Sequence, residues 1–403
     1  MTTPAGAPAA PDLMKRRVPE QRNSSRNPRP ARTGWRVLIG LLAVALPASP
    51  RLSLPALPSG DPPPEVLIKE GHWKQARSVV GPRYQARPDD PQLNYLMSEI
   101  EEAFGDLADA RTHAGKAVEL QDANSSYHLQ LGEVDGETAE TVGLFSKLGW
   151  AKKFKAEVDR AVTLDPKNLD ARFALLEFDL QAPGMIGGGK DKARAMADEI
   201  ARIDPAQGYL AEARLARDRK DPAAEESWYL KALAAEPADY EVVLAAADFY
   251  SRQNPPKFDS AEKYARQAIK IDPGRVAAWS LLASTLALQG RWKDLDAALE
   301  AAEQSVPDDL APYYQAARAI LVRSGNAPNP AGAPDLKRAD GYLRKYLGAE
   351  PEGGEPTLAH AHWRLGEVLE KEGRKADAVS ELKAALNLKP DLDEAKRDLN
   401  RLQ

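Results

Sequence analysis

The sequence contains no cysteine, which excludes disulfide bonds, thiolate nucleophiles and lipid attachment through a cysteine. Histidine is also scarce, with 5 residues in 403, and aromatic residues make up only 6% of the chain. Apolar residues nevertheless reach 43%, and most of them are alanine and leucine. Together with 32 prolines, this composition favours a large core built from helices whose units end at proline.

The formal net charge of −5 hides an asymmetry along the chain. Residues 1–60 carry nine of the 55 basic side chains and two of the 60 acidic ones. The remainder of the chain is therefore distinctly acidic. Because nucleic-acid binding depends on neutralising phosphates with Lys and Arg, an acidic body argues against a general nucleic-acid-binding protein.

Residues 1–48 have the features of a targeting region, and a linker follows them. The first part is rich in Pro, Ala and Arg without a hydrophobic period, and we expect it to be disordered. An apolar run at 37–48 resembles a signal-peptide core and is shorter than the roughly 20 residues of a membrane span. Open alternatives are an uncleaved anchor, an organelle transit peptide and a true start at Met14. Residues 49–64 form a Pro-rich linker, and we expect export to the periplasm or cell envelope, with a cytoplasmic location as the alternative.

Residues 359–392 carry the clearest structural pattern. Leu365 and Leu369 share one helix face, and Ala378, Leu382 and Ala385 share the face of a second helix, because residues three, four and seven apart lie together. A glycine follows the first of these helices and a proline follows the second. The pattern predicts a helical hairpin. A single hairpin cannot bury both of its faces, so it requires similar neighbours.

The same pattern recurs at intervals near 34 residues. The stretch 276–309 matches it without gaps, with Trp279, Leu282, Gly290 and Pro307 in corresponding places. Units of this length and pattern resemble the tetratricopeptide repeat (TPR), and the resemblance covers about 65–403. It implies an all-α, right-handed α-solenoid of about eight to nine repeats.

The resemblance also sets boundaries within the array. It implies a half-repeat at 65–88, repeats over about 91–390 and a capping helix at 391–403 that covers the last repeat. Insertions are expected at 133–145, 181–189 and 325–334. The part from 146 to 188 is also similar to a segment of bacterial TPR proteins whose role is unknown.

Two stretches invite a chemical interpretation, and neither supports it. Gly184–Asp191 approaches the phosphate-binding pattern GxxxxGK[ST], but Asp191 replaces the hydroxyl residue and a helix, not a strand, precedes the loop. His360 and His362 lie two residues apart, which places them on different sides of a helix and prevents a shared metal. We therefore predict no catalytic residue, no metal and no cofactor, and a flexible loop at 184–189.

The resemblance implies that the first helices of the units line a concave face. Residues at their fifth and ninth positions would point into this face, where rings and charges suit an extended peptide. Some of these rings could instead fill the space between successive helices. The expected groove residues are Tyr95, Glu99, Phe173, Arg214, Tyr314, Arg318, Trp363 and Glu367.

The sequence thus predicts a non-enzymatic scaffold that binds a partner protein or peptide in a concave groove. The partner is unidentified, and contact with a membrane is expected only through an uncleaved N-terminal anchor. The Lys/Asn set with which chaperone-binding TPRs hold a carboxylate does not occur at the groove positions. The alternative is an accessory protein of a transport or cell-envelope system, in which inserts close one end of the array into a pocket for a ligand or polymer.

Overall fold

The computed structural model describes residues 62–325, 334–353 and 356–403. Residues 1–61, which include the whole of 1–48 and most of the linker, lie outside this description. Most of the insertion expected at 325–334 also lies outside it. The described residues form nineteen α-helices, one short 3-10 helix at Gly184–Ile186 and no strand. The α-helices are α1 (Pro64–Glu70), α2 (Trp73–Ala86), α3 (Pro91–Phe104), α4 (Leu107–Leu120), α5 (Ser125–Thr141), α6 (Leu144–Leu164), α7 (Leu169–Gln181), α8 (Lys190–Ile203), α9 (Pro205–Asp218), α10 (Pro222–Ala235), α11 (Tyr240–Arg252), α12 (Phe258–Ile271), α13 (Val276–Gln289), α14 (Trp292–Ser305), α15 (Ala311–Ser324), α16 (Pro334–Leu347), α17 (Leu358–Lys371), α18 (Lys375–Leu388) and α19 (Asp393–Leu402).

The hairpin predicted at 359–392 is formed by α17 and α18, and small residues bring the two helices together. A Cβ atom on Gly366 would lie 2.9 Å from Cγ of Leu382, so only glycine fits there without a shift. Ala378 and Ala385 are fully buried on the facing helix. Gly373 adopts φ +79° after α17, a conformation that glycine reaches without steric penalty. The all-α solenoid of helical hairpins is confirmed.

Several prolines begin helices instead of ending units. Pro91, Pro205 and Pro222 occupy the first turn of their helices, each after an aspartate whose side chain accepts hydrogen bonds from backbone N–H groups of that turn. Proline suits this place because the first helical N–H groups have no partner within the helix. Pro205 is thus the first residue of α9.

The expected irregularities are visible where the structure describes them. The first unit opens with the seven-residue α1, so residues 65–88 contain a shortened first helix followed by α2. The insertion near 133–145 lengthens α5 to 17 residues and α6 to 21 residues. At the C-terminus, α19 covers the last hairpin and buries Ala395 and Leu402.

The buried apolar residues form several clusters along the array rather than one continuous core. Clusters centred on α13–α19, on α7–α12 and on α5–α7 follow one another from the C-terminal end. A separate cluster joins α1, α2 and α3 and includes Leu67, Ala76 and Ile100. This division is typical of solenoids, in which each repeat contacts mainly its neighbours. Within the described residues, no helix is both long enough and apolar enough to cross a bilayer.

Two parts of the array that are far apart in sequence touch each other. Lys74, at the start of α2, donates its backbone N–H to Oε1 of Glu352 at 2.8 Å and its ammonium to the carbonyl of Glu350 at 2.9 Å. The Nδ1 atom of His72 lies 3.0 Å from Oδ2 of Asp308. We call the contacts of His72–Gln75 with Asp308 and residues 350–353 the seam. Through the seam, the solenoid closes on itself.

Candidate protein-binding surface

The first helices of the units form the inner surface of the closed array. Successive first helices pack against one another, as α13 does against α15. On α13, the partly exposed residues Ala277, Ser280 and Ser284 are spaced three and four apart, so they share one helix face. The same positions on the other first helices carry the groove residues that the sequence predicted.

At the N-terminal end of this surface, aromatic rings lie beside carboxylates. The rings of Tyr95 and Tyr127 stack with centroids 5.2 Å apart, and the Tyr95 hydroxyl donates to Oε1 of Glu99 at 2.9 Å. Desolvation raises the pKa of Glu99 to about 8. Glu99 is therefore mostly protonated at neutral pH.

Two further carboxylates, which the sequence did not single out, share this environment. Desolvation raises the pKa of Glu133 well above its usual range, and the negative charges of Glu102, Asp170 and Glu99 raise it further. Desolvation and the charge of Glu241 raise the pKa of Asp170 to about 7. Like charges this close to one another disfavour ionisation. The inner surface at α3–α7 is thus rich in carboxyl groups, several of which are protonated at neutral pH.

Phe173 does not belong to the exposed surface. It is only 4% exposed and packs in the core cluster of α7–α12, which corrects its assignment as a groove residue. Arg214 packs over its ring, with Cζ 5.1 Å from the centroid, and Nη1 of Arg214 lies 2.5 Å from Oε1 of Glu177. Both members of this ion pair are largely buried, so Arg214 holds two first helices together.

Tyr314 is likewise a core residue, which corrects a second assignment. It is 6% exposed, and its ring packs against that of Tyr346 with centroids 5.5 Å apart. Arg318, one turn later, is exposed and donates from Nε to Gln315 at 2.9 Å. Desolvation and the nearby charge of Arg364 lower the pKa of Arg318. This guanidinium is available to a ligand.

Trp363 is half-buried and connects the last hairpin to the capping helix. Its Nε1 donates to Oδ2 of Asp398 on α19 at 2.8 Å. Arg364 lies over its ring, with Cζ 3.9 Å from the centroid, and donates to Oε2 of Glu367 at 2.6 Å. Trp363 and Glu367 therefore lie together, but each already has a partner within the protein.

A comparison with known protein families identifies the last hairpin. The family model for the tetratricopeptide repeat matches residues 359–400, which contain nearly all of α17, all of α18 and most of α19. This C-terminal hairpin is therefore similar to a tetratricopeptide repeat. A search of curated proteins finds no match to this sequence.

Several solved structures are similar to this chain in shape. Yeast Tom70 is 12% identical with a TM-score of 0.45, and the match covers 84% of this chain and 86% of that chain. The human IFIT1 dimer with m7Gppp-AAAA is 17% identical with a TM-score of 0.43, covering 84% and 79%. A TPR protein from Parabacteroides merdae is 14% identical with a TM-score of 0.39, covering 77% and 98%.

The glycine-rich loop forms a compact turn between α7 and α8. A Cβ atom on Gly188 would lie 2.1 Å from the carbonyl oxygen of Ala182, so the backbone here is tightly packed. Lys190, the residue that a phosphate-binding loop would use, pairs with Asp218 at 2.5 Å. Lys192 donates to the carbonyl of Gly187 at 2.6 Å. These contacts give the glycines a structural role in place of the expected flexible loop.

The two neighbouring histidines of the last TPR point to different partners. His362 lies with Nδ1 2.6 Å from Oε2 of Glu381 on α18, whereas His360 contacts the hydroxyl of Thr357 before α17. Within the described part of the chain, no group of three or more His, Cys, Asp or Glu side chains is arranged to hold a metal ion.

Sequence reasoning missed the acidic residues on the inner side of α5 and α7 and all of the seam. Glu133 lies in the lengthened third unit, where the TPR pattern fits poorly, so no groove position could be assigned to it. Asp170 occupies the second position of its first helix, one of the positions that line the concave face in TPR arrays. That position could have been included from the sequence.

Proposed function

We propose that this protein is a non-enzymatic scaffold that binds an extended segment of a partner protein on its inner surface. The observation that carries the proposal is the set of side chains on the inner face. Successive first helices present partly exposed, charged and aromatic side chains there, whereas the second helices cover the outside. TPR arrays generally serve as protein-interaction scaffolds, and an extended peptide makes use of both rings and charges.

The chemistry of the surface indicates which partner residues suit each end. Glu99, Glu133 and Asp170 offer carboxyl groups at the N-terminal end, which can hydrogen-bond to a partner and which a basic group of the partner would ionise. Arg318 offers a guanidinium to acidic groups near the C-terminal end. A bound segment with basic residues toward one end and acidic residues toward the other complements both.

A second candidate is the ligand- or polymer-binding accessory protein, and the closure of the array favours it. An enclosed inner surface resembles a pocket more closely than an open groove does. The closure does not come from the inserts, as the sequence suggested, but from the seam between the first unit and residues 308 and 350–353. The two candidates share one surface and differ in what occupies it.

Bulky substitutions on the inner surface test the proposal. Ser280→Tyr together with Ser284→Tyr fills the inner face of α13, whereas Ser227→Tyr adds the same ring to an exposed position on α10. Partners captured from the native host are identified by mass spectrometry. We expect the double variant to lose a partner that the wild type and Ser227→Tyr both retain. Equal recovery by all three proteins would rule out the inner surface as the binding site.

A further inference from the structure

The seam consists of polar contacts concentrated on the N-terminus of α2. Asp308 accepts from Nε2 of Gln75 at 2.8 Å and from His72, and its backbone carbonyl accepts from Nζ of Lys74 at 2.9 Å. Glu352, whose side chain is buried, accepts from the Lys74 backbone and lies 3.0 Å from Nζ of Lys74. Two carboxylates therefore hold the positive end of the helix dipole.

Seam contacts differ in kind from those between successive units. Most neighbouring units share apolar cores, as α7–α12 do around Val243 and Phe249. Across the seam, a Cβ atom added at Gly353 would lie 3.1 Å from the carbonyl oxygen of Ala103 and 3.4 Å from Cδ1 of Trp73, so the backbone of Gly353 lies close to both residues. Polar interfaces within one chain resemble transient protein–protein contacts and permit relative motion.

A second boundary with many polar contacts lies between the first two units and α5. The amide of Gln130 on α5 donates to Ser98 at 3.1 Å and to Glu102 at 2.7 Å, both on α3, and Nε of Arg111 on α4 donates to Asp135 at 2.6 Å. The apolar cluster of α1–α3 is separate from the cluster that begins on α5. The first two units thus form a body with its own core, joined to the rest by these hydrogen bonds and by the stacked rings of Tyr95 and Tyr127.

The inner surface behind the seam is confined. Glu99 and Glu133 are partly exposed, yet desolvation raises the pKa of both side chains. The seam joins the first unit to Asp308 and residues 350–353, so a partner chain that enters between these two parts must first separate them.

We propose that residues 62–120 form a movable arm, hinged between α4 and α5 and latched at the seam. Opening the latch admits a segment of a partner protein sideways to the inner surface, and closing it retains the segment. This inference rests on the proposed function for the site that it controls. The arm itself is a property of the protein alone and can be measured without any partner.

The absence of native cysteine makes the motion accessible to site-directed labels. Spin labels on Ser78→Cys and Ser305→Cys, both exposed and on opposite sides of the seam, report the distance across it. We expect one short distance in the parent protein. Adding Glu352→Gln or Asp308→Asn should create a longer population, raising the open-to-closed ratio roughly tenfold, because each removes a charge-assisted hydrogen bond.

A matched control separates latch opening from general loosening. Glu226→Gln removes an exposed ion pair with Lys257, whose atoms lie 2.7 Å apart on another part of the array. It should leave the distance distribution unchanged. Unchanged distributions in both seam variants, with circular dichroism showing intact folding, would overturn the latch.

Access to the inner surface provides the second measurement. Ser284→Cys is modified with N-ethylmaleimide and with a maleimide coupled to a small globular protein, and Ser227→Cys serves as the outer control. We expect the bulky reagent to react slowly at Ser284→Cys and roughly tenfold faster once Glu352→Gln is added. Equal bulky-reagent rates with and without Glu352→Gln would overturn gating. Partner binding could still be found in that case, so failure of the latch and failure of the proposed function are distinguishable.

Discussion

The carboxylate of Glu352 caps α2 through Lys74, which lies 278 residues earlier in the chain and donates its backbone N–H to Oε1 of Glu352 at 2.8 Å. The residue immediately before α2, His72, makes no side-chain hydrogen bond to the helix N-terminus. One of the free N–H groups at the start of α2 is thus satisfied by a residue of a distant unit. This relationship makes the first unit depend on residues that the sequence places near the other terminus.

Removing the cap should weaken α2 selectively. Glu352→Ala leaves the Lys74 N–H and the helix dipole without their carboxylate, at a cost of about 1.5–3 kcal/mol for a charged hydrogen bond. Hydrogen exchange should show faster opening of α2 and little change in α10. Uniform acceleration across both helices would indicate general destabilisation and contradict a local cap.

The seam should weaken as the pH rises above neutrality. The hydrogen bond to Asp308 raises the pKa of His72, and the charges of Asp308, Glu70 and Glu352 add to it, while Lys74 lies beside them. A raised histidine pKa gives stability that is present below about pH 6.5 and lost as pH rises through the folded-state pKa. Protection of α2 against hydrogen exchange should fall between about pH 6 and pH 9, and His72→Gln should remove this dependence.

The acidic inner surface should make the protein more stable at mildly acid pH than at alkaline pH. Desolvation raises the pKa of Glu99 to about 8, from an ordinary value of 4.5. A carboxyl with a raised folded-state pKa contributes stability below its ordinary pKa, and this contribution is lost as pH rises toward about 8. Glu99→Gln should reduce the fall in unfolding free energy between about pH 5 and pH 9. An unchanged slope would show that Glu99 is ionised throughout.

Substitution of two glycines by alanine tests the close packing of the hairpins, because one substitution should lower the stability of the protein and the other should raise it. Gly366→Ala places a Cβ atom 2.9 Å from Cγ of Leu382, and overpacking of this kind costs about 1–3 kcal/mol. Gly115→Ala, within α4, meets no atom within 4 Å, so it should gain about 0.5–1 kcal/mol from helix propensity. Chemical denaturation of both variants measures the difference, and equal effects would refute the close approach at Gly366.

The targeting region can be examined separately, because it lies outside the described residues. The apolar run at 37–48 still predicts export with cleavage. N-terminal sequencing of the protein from its native cell should begin between Leu46 and Leu52. Retention of Arg36 would favour the uncleaved anchor or the cytoplasmic location.

Regular units could be predicted from the sequence because each hairpin is specified locally. The spacing of Leu365, Leu369 and Leu382 fixes which faces pack, and the structure confirms the resulting array. The burial of individual groove residues within that array could not be predicted in the same way. Phe173 and Tyr314 occupy groove positions by their spacing, but their rings turn into the space between helices, where they bury more apolar area.

Closure of the array could not be predicted from any single unit. It depends on the small rotation between each pair of units, summed over the whole array. Longer units change that sum, as α5 and α6 do. Neither Asp308 nor Glu352 carries a local signal of its role, since acidic residues in loops are ordinary on a solvated surface.

Because the seam joins the first unit to loops near residues 308 and 352, the number of repeats in this protein is constrained. An open solenoid can gain or lose a repeat and keep every remaining neighbour. Here, one repeat more or fewer would carry Asp308 and Glu352 past the start of α2. Length variation in this array is therefore tolerated only beyond the seam, at the C-terminal end.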